Sequence, residues 1–392
     1  MNIYEQQQAN RKRTWLIVAV FIVFFAFLGL GFDYFYLGYD PWTTEPGMGM
    51  PFPLATIFSI VFSSGWAWWG MLYGDRAVLT SSGALRIDQV DFTKNNPGGI
   101  PLLPPSKPLQ SNEDTEESSN HGPPLTLLNL GGAPPKADNP KADSKDQREQ
   151  NQHKYQQLLN VVEEMCIASG LPKPKVYLIL DPDPNAFATG RDPEHSSIAV
   201  TQGLLDKLNR EELQGVIAHE MSHVRNLDIR LMTTIAALVG AVVLLSDWAM
   251  RGMRSDSGRS RSSSKKGGGG GNLILFAIWL LLVILAPLLA QLLAMAVSRQ
   301  RESLADASGA ELTRNPGALA SALKKIEMEV APTGSIKRGS AHLCIADPLG
   351  RKMGLRQGFW GDLLATHPPM HERINALKLM AYQGPEPSPA NL

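Results

Sequence analysis

Cysteine is almost missing from this chain: Cys166 and Cys344 are the only two in 392 residues. Two cysteines so far apart make no disulfide framework and no C-x-x-C motif, so they read as reduced, partly buried thiols. Net charge is missing as well, since 37 Lys and Arg balance 37 Asp and Glu. A neutral chain gives no global electrostatic argument for nucleic acid or an acidic substrate. No internal repeat is present. A leader cleavage site is lacking too. Arg11, Lys12 and Arg13 precede an apolar run, as in a secretory signal peptide, but no small-residue site follows and the run is long for one. It reads as an uncleaved anchor.

What the chain does have is long apolar runs. Residues 15–30 carry no charge and no proline, and with Gly31 and Phe32 they reach bilayer-spanning length. Residues 54–73 form a second run that ends in Trp66, Trp68, Trp69 and Tyr73, aromatic residues suited to a headgroup interface. Residues 231–245 and 273–297 form a later pair, the second broken by Pro287, which membrane helices tolerate. Buried core helices are the competing reading of that pair. The expectation is about four transmembrane or membrane-inserted helices.

The polar stretches divide the rest. Residues 78–92 have the pattern of a short hairpin. Residues 95–150 are rich in Pro, Gly, Ser, Asn and charge, a composition that buries too little apolar surface to offset the entropy of ordering. They read as a disordered linker whose one apolar patch is 125–130. Helical periodicity resumes near Tyr155 and stops at Gly170 and Pro172. Residues 175–180 and 197–201 are strand-like, and Ala186 to Thr189 a short edge strand. Asn209 with Glu212 three residues on opens a helix through a capping box. Residues 251–272 are a flexible Ser, Gly and Arg-rich loop. The expected division is 1–76 as an N-terminal membrane hairpin, 77–150 as linker, and 151–392 as a catalytic domain containing the hairpin 231–297.

The chemistry is concentrated in Ala218-His219-Glu220-Met221-Ser222-His223. On a helix His219 and His223 lie one turn apart and project from one face, at a separation that suits one zinc ion. Glu220 sits beside that face and can take a proton from a water activated by the metal. A hydrolytic zinc site needs a third protein ligand. No third histidine follows at the H-E-x-x-H-x-x-G-x-x-H spacing, because Asn226 and Asp228 occupy that region. Glu302 is the best alternative, and Asp306 lies one turn beyond it, placed to accept the N–H of a ligating histidine.

The strings HEMSHVRNLDIR, then an apolar hairpin, then SRQRESLADASGAELTRNP resemble the HtpX-type membrane zinc endopeptidases, a family related to the CAAX prenyl endopeptidases and the BepA-type proteases. The similarity runs from about Tyr155 to about Leu377, and PNAFATG and THPPMHERI match further family motifs. The resemblance implies a mainly α integral membrane protein with a small α+β zincin-like (gluzincin) catalytic domain. It implies one zinc ion per chain on His219, His223 and Glu302, with Glu220 as general base and Asp306 supporting the ligands. Asn185, Ala186, Phe187, Ala188 and Thr189 would pair with substrate backbone. His367 and Arg373 match its H-P-P…R positions and are assigned a catalytic part, stabilising the oxyanion or positioning that motif, with a structural turn and a helix cap as the rival reading. The linker and the loop 251–272 are longer than the family leads one to expect.

Arg11, Lys12 and Arg13 put the N-terminus in the cytoplasm. The zinc helix then faces the cytoplasm as well, in a multi-pass protein of a bacterial inner membrane. The basic loop 251–272 conflicts with that rule if the hairpin crosses fully. The implied function is cleavage of misfolded or damaged membrane polypeptides. Its rivals are a processing protease for one lipidated or precursor substrate, an idle membrane adaptor, and a lipid or nucleic-acid binder resting on the basic loop alone. Polypeptides and the bilayer are the expected partners; nucleic acid is not.

Overall fold

Four strands form a sheet in the order β1-β2-β4-β3, and the last of them is the edge that faces the functional site. They are β1 (Leu85–Arg86), β2 (Lys175–Ile179), β3 (Ala186–Gly190) and β4 (Ser196–Thr201). The computed structural model describes residues 3–37, 39, 52–88, 140–255, 276, 279–280, 299–329, 333–336, 340–348 and 369–382. Of the sequence expectations, residues 95–139, the patch 125–130, most of 273–297 and His367 lie outside the described residues.

The sheet is mixed. β1 runs antiparallel to β2, β2 parallel to β4, and β3 antiparallel to β4 with Phe187 opposite Ala199. Every residue of β3 and β4 is buried, so that side of the sheet is inside the protein, while β1 is exposed and β2 only partly buried. The free side of β3 is partly taken. Cys344 makes an antiparallel bridge to Phe187, and Ile345 N donates to Ala186 O at 2.9 Å. The turn after β2 holds this segment's neighbour, since Asp181 Oδ2 accepts from Ser335 N (2.9 Å) and Ser335 Oγ (2.8 Å).

Nine helices are named among the described residues. In chain order they are α1 (Ile3–Tyr36), α2 (Leu54–Ser81), α3 (Pro140–Ser169), α4 (Gln202–Lys207), α5 (Arg210–Arg225), α6 (Asp228–Ser255), α7 (Arg299–Thr313), α8 (Pro316–Glu327) and α9 (Met370–Tyr382). Residues 1–90 and 157–392 belong to one unit and 91–156 to another. Three boundaries differ from expectation. α2 continues through Asp75 and Arg76 to Ser81, and among the described residues of the expected hairpin 78–92 the one strand is two-residue β1. α3 begins at Pro140, within the stretch read as linker. α6 extends to Ser255, into the stretch read as loop.

At about 1.5 Å per residue, the 34 residues of α1 are ~50 Å long, well beyond the ~30 Å of a hydrocarbon core. Its stretch Glu5–Tyr36 is the one helix among the described residues long and apolar enough to cross a membrane. α2 packs beside it and leaves Phe58, Val61 and Trp68 exposed. Asp33, fully buried, ties the two together. Its carboxylate accepts from Ala55 N and Thr56 N (each 2.8 Å) and from Thr56 Oγ1 (2.7 Å). Pro53 provides no side-chain cap for α2, so Asp33 supplies from α1 the acceptor that the first turn needs. The start of α6 joins them: Leu231, Ile235, Leu238, Val239 and Val242 share one apolar cluster with Val18, Phe21 and Phe25 of α1. Helix α5 is capped by Asn209 and Glu212 in both directions. Glu212 also accepts from Lys325 Nζ and Ser321 Oγ of α8, both at 2.7 Å.

Candidate metal centre

Helix α5 is buried from Leu213 to Val224 apart from partly exposed Gln214, and its two histidines face α7. The imidazoles of His219 and His223 stand nearly perpendicular, with centroids 4.8 Å apart. Each turns Nε2 toward Glu302: His219 Nε2 lies 3.6 Å from Oε2, and His223 Nε2 lies 3.6 Å from Oε1. Ligand atoms about 2.0–2.1 Å from a tetrahedral ion are about 3.3 Å apart, so this spacing is slightly open for zinc. Candidate ligand atoms of these three residues all lie within 4.8 Å of one another.

The opposite nitrogens are also served. His219 Nδ1 is 3.0 Å from Asp306 Oδ1, and His223 Nδ1 is 3.0 Å from Asp228 Oδ2. The Asp306 contact is close but lies outside strict hydrogen-bond alignment. A carboxylate beside Nδ1 fixes the proton there and leaves Nε2 as the lone pair, the tautomer a metal requires. Asp228 was not among the residues singled out from sequence. It starts α6, beyond a sharp reversal at Leu227, whose φ of 58° is left-handed. Leucine adopts that conformation at a cost of about 1–2 kcal/mol, and no glycine or proline marks the turn. The available signal was only a carboxylate five positions after His223.

The centre is strongly charged for a buried place. Burial acts to lower the pKa of His219, but Asp306 and Glu302 outweigh it and hold the ring at about 9. That proton marks where a cation is favoured, and a divalent ion would take its place. Burial acts to raise Asp306, yet the Arg373 guanidinium and then His219 bring it down to about 2. Burial raises Glu220, with His219 and His223 pulling the other way. Neither carboxylate oxygen of Glu220 has a hydrogen-bond partner of good geometry, nor does His219 Nε2, and both residues are fully buried. Orphaned buried polar atoms of this kind are costly unless something else satisfies them. A cation with a coordinated water between Nε2 and Glu220 would do so, and the nitrogen and oxygen donors suit zinc.

Arg373 closes the cluster from α9. Nε and Nη2 each donate to Asp306 at 2.7 Å, and Nη1 donates to Ile345 O at 2.9 Å while standing 3.4 Å from Glu302. Asn185 donates to Ala346 O at 3.1 Å and to Thr333 Oγ1 at 3.2 Å, so it holds the segment beside β3. Thr189 Oγ1 lies 2.8 Å from Thr233 Oγ1, and Gly190 N donates to that same hydroxyl at 3.1 Å. Ala186, Phe187 and Ala188 line the same buried strand. His195 and His342 lie apart, the first on Asp192 and the second on Met232 O.

One glycine sets the approach of α7 to α5. A Cβ on Gly309 would sit 3.0 Å from His219 N and 3.1 Å from its Cα. Gly309→Ala is therefore expected to cost about 1–3 kcal/mol by overpacking and to weaken metal binding by moving Glu302, two turns earlier. Metal titration with thermal unfolding checks this; unchanged affinity would show that α7 shifts without carrying Glu302.

Residues 152–381 match Peptidase family M48. A protein named Protease HtpX homolog from Thermoanaerobacter pseudethanolicus is 49% identical over 228 residues, 58% of this chain and 73% of its own length. Its namesake from Dictyoglomus turgidum is 48% identical over 233 residues, 59% of this chain and 72% of the relative. Among solved structures, the crystal structure of S. mikatae Ste24p aligns at 19% identity with a TM-score of 0.34, covering 56% of this chain and 49% of the other.

Proposed function

Because the chain belongs to peptidase family M48 and is an HtpX-type metalloendopeptidase within it, we propose that it is a zinc enzyme of the inner membrane that degrades misfolded or damaged polypeptides. One observation carries the zinc assignment. Two histidine Nε2 atoms and the Glu302 carboxylate converge next to an unsatisfied, fully buried Glu220.

In this reading His219, His223 and Glu302 hold the ion, and Asp306 and Asp228 orient the two imidazoles. When bound, zinc supplies a Lewis acid that acidifies water and polarises the scissile carbonyl. Glu220 takes the proton of the attacking water and delivers it to the leaving amine. Its burial keeps that carboxylate weakly solvated, so it is a stronger base than one in water. Arg373 has donors engaged by Asp306 and Ile345 O, which favours positioning over oxyanion stabilisation. His367 is assigned with it, as the histidine of the same H-P-P…R motif. An extended peptide approaching β3 meets an edge already paired at Ala186 and Gly190. It binds between them at Ala188, or it displaces Cys344 and Ile345.

The fold proposed is zincin-like, of the gluzincin type, in a chain divided at 1–76, 77–150 and 151–392. About four membrane helices are proposed, with α1, α2 and the 231–297 hairpin forming the membrane part. The shared apolar cluster of α1, α2 and α6 supports this. Orientation follows from α1. Gln7 Nε2 donates to Arg225 O at 2.7 Å, at the end of α5 beside the metal ligands. The basic run Arg11 to Arg13 is on that same end, which by the positive-inside rule supports an active site facing the cytoplasm, against the opposing pull of the basic loop 251–272.

The test is cleavage of casein and of a folded globular protein by the detergent-purified full chain, with and without zinc. Cleavage of casein alone, abolished by chelator and restored by zinc, is the expected result. Cleavage that survives metal removal would sink the zinc assignment, and equal cleavage of the folded protein would sink the quality-control role.

A further inference from the structure

Asn10 lies in α1, outside the 152–381 stretch that matches the family, yet its side chain reaches the metal centre's supporting shell. Nδ2 donates to Asp228 Oδ1 at 2.6 Å and to Asn226 O at 3.0 Å. Asn10 is 1% exposed and Asp228 0%. The other oxygen of Asp228 faces His223 Nδ1 at 3.0 Å. Two acceptors converge on one end of the Asn10 amide, and this fixes its orientation: reversed, its oxygen would point at a carboxylate and a carbonyl. A fully buried carboxylate has its position set by its donors, and here one donor is the ligand imidazole and another comes from the anchor helix. Thr14 Oγ1 donates back to Asn10 O at 2.8 Å within α1, which is helical through this point.

We infer that Asn10 is a positioning residue for the metal ligand His223, acting through Asp228, so that the first turns of the N-terminal helix belong to the metal site and are not only a tether. The inference rests on the zinc assignment proposed above. Without Asn10, Asp228 loses the donor that fixes its Oδ1, and the imidazole on its other oxygen is oriented less firmly. Changes in such outer partners typically shift metal affinity by about 10- to 100-fold. The lower end is expected here, because Asn10 is one residue further out than Asp228.

Full-length protein loaded with zinc would be challenged with a chromophoric chelator, and its cobalt-substituted form examined by visible absorption. Asn10→Ala is expected to lose zinc about tenfold faster and to alter the cobalt ligand-field bands. In an Asp228→Ala background the same substitution is expected to change neither, because the carboxylate linking Asn10 to His223 is gone and only its bond to Asn226 O is left. Gln7→Ala, one turn earlier and bonded to Arg225 O, is the fastening control and is expected to leave both readouts as in wild type. If Asp228→Ala does not fold, the contrast between Asn10→Ala and Gln7→Ala decides. If Asn10→Ala does not fold, the near-isosteric Asn10→Leu replaces it: with no donor for Asp228 Oδ1, it should hasten zinc loss where Gln7→Ala does not. Equal effects of the Asn10 and Gln7 substitutions, additive effects with Asp228→Ala, or an unchanged rate would overturn the inference while leaving the zinc site standing. A wild-type protein that takes up no zinc would overturn both.

Discussion

Glu220→Gln is expected to abolish peptide hydrolysis while the protein still takes up one zinc ion. Glutamine keeps the shape of the side chain but cannot accept the proton of the attacking water. Loss of a general base typically costs about 10²–10⁴ in rate, so kcat/KM should fall by about 10³, or ~4 kcal/mol of transition-state stabilisation. A second signature separates this from a general injury to the fold. Glu220 is fully buried, neither of its oxygens has a hydrogen bond of good geometry, and burial pushes its pKa up, so in the metal-free protein the carboxylate is a liability. Its neutral isostere should raise the melting temperature of the metal-free form. Activity measured beside metal content and calorimetry checks both. A variant that keeps a tenth or more of wild-type activity would remove Glu220 from the mechanism.

Arg373→Ala is expected to be the most destabilising single change in the site. The guanidinium holds Asp306 through two hydrogen bonds and stands 3.4 Å from Glu302. Removing it leaves two buried carboxylates short of their cation, a situation that costs about 3–5 kcal/mol. Added zinc should recover part of the loss, because the ion compensates Glu302 directly but leaves Asp306 to His219 alone. Arg373→Lys should recover little, since an ammonium cannot span both oxygens of Asp306 and reach Ile345 O as well. Thermal unfolding with and without zinc measures this. Normal stability with a lowered kcat would instead return Arg373 to the oxyanion.

The metal helix and the Glu302–Asp306 pair were legible because the signals of each are local. The capping box, the one-turn spacing of His219 and His223, and the pair Glu302 and Asp306 are all read within a few residues. Asp228 escaped because the chain reverses at Leu227, a residue that gives no sign of leaving a helix. Asn10 escaped because its partner is 218 residues away, and no periodicity encodes such a contact. Helix ends were misjudged where hydrophobicity stood in for helicity. The apolar run of α2 ends at Tyr73, but Asp75, Arg76 and the residues after them continue the helix to Ser81. The start of α3 is rich in Lys, Gln and Asp, a composition read as linker, though Lys and Gln are also good helix formers. The pairing of Cys344 and Ile345 with β3 lay in a segment with no strand pattern of its own.

The ion pair between Asp306 and Arg373 joins residues 67 positions apart, and the second of them sits in α9, at the far end of the family match. Translation is vectorial. At about 5–20 residues per second, roughly 3 to 13 s separate the appearance of the first partner from that of the second. Throughout that interval the nascent chain carries its histidines and Glu302 without the guanidinium that balances Asp306. The charge balance of the metal site is therefore completed only when α9 has been made and can fold back onto α7.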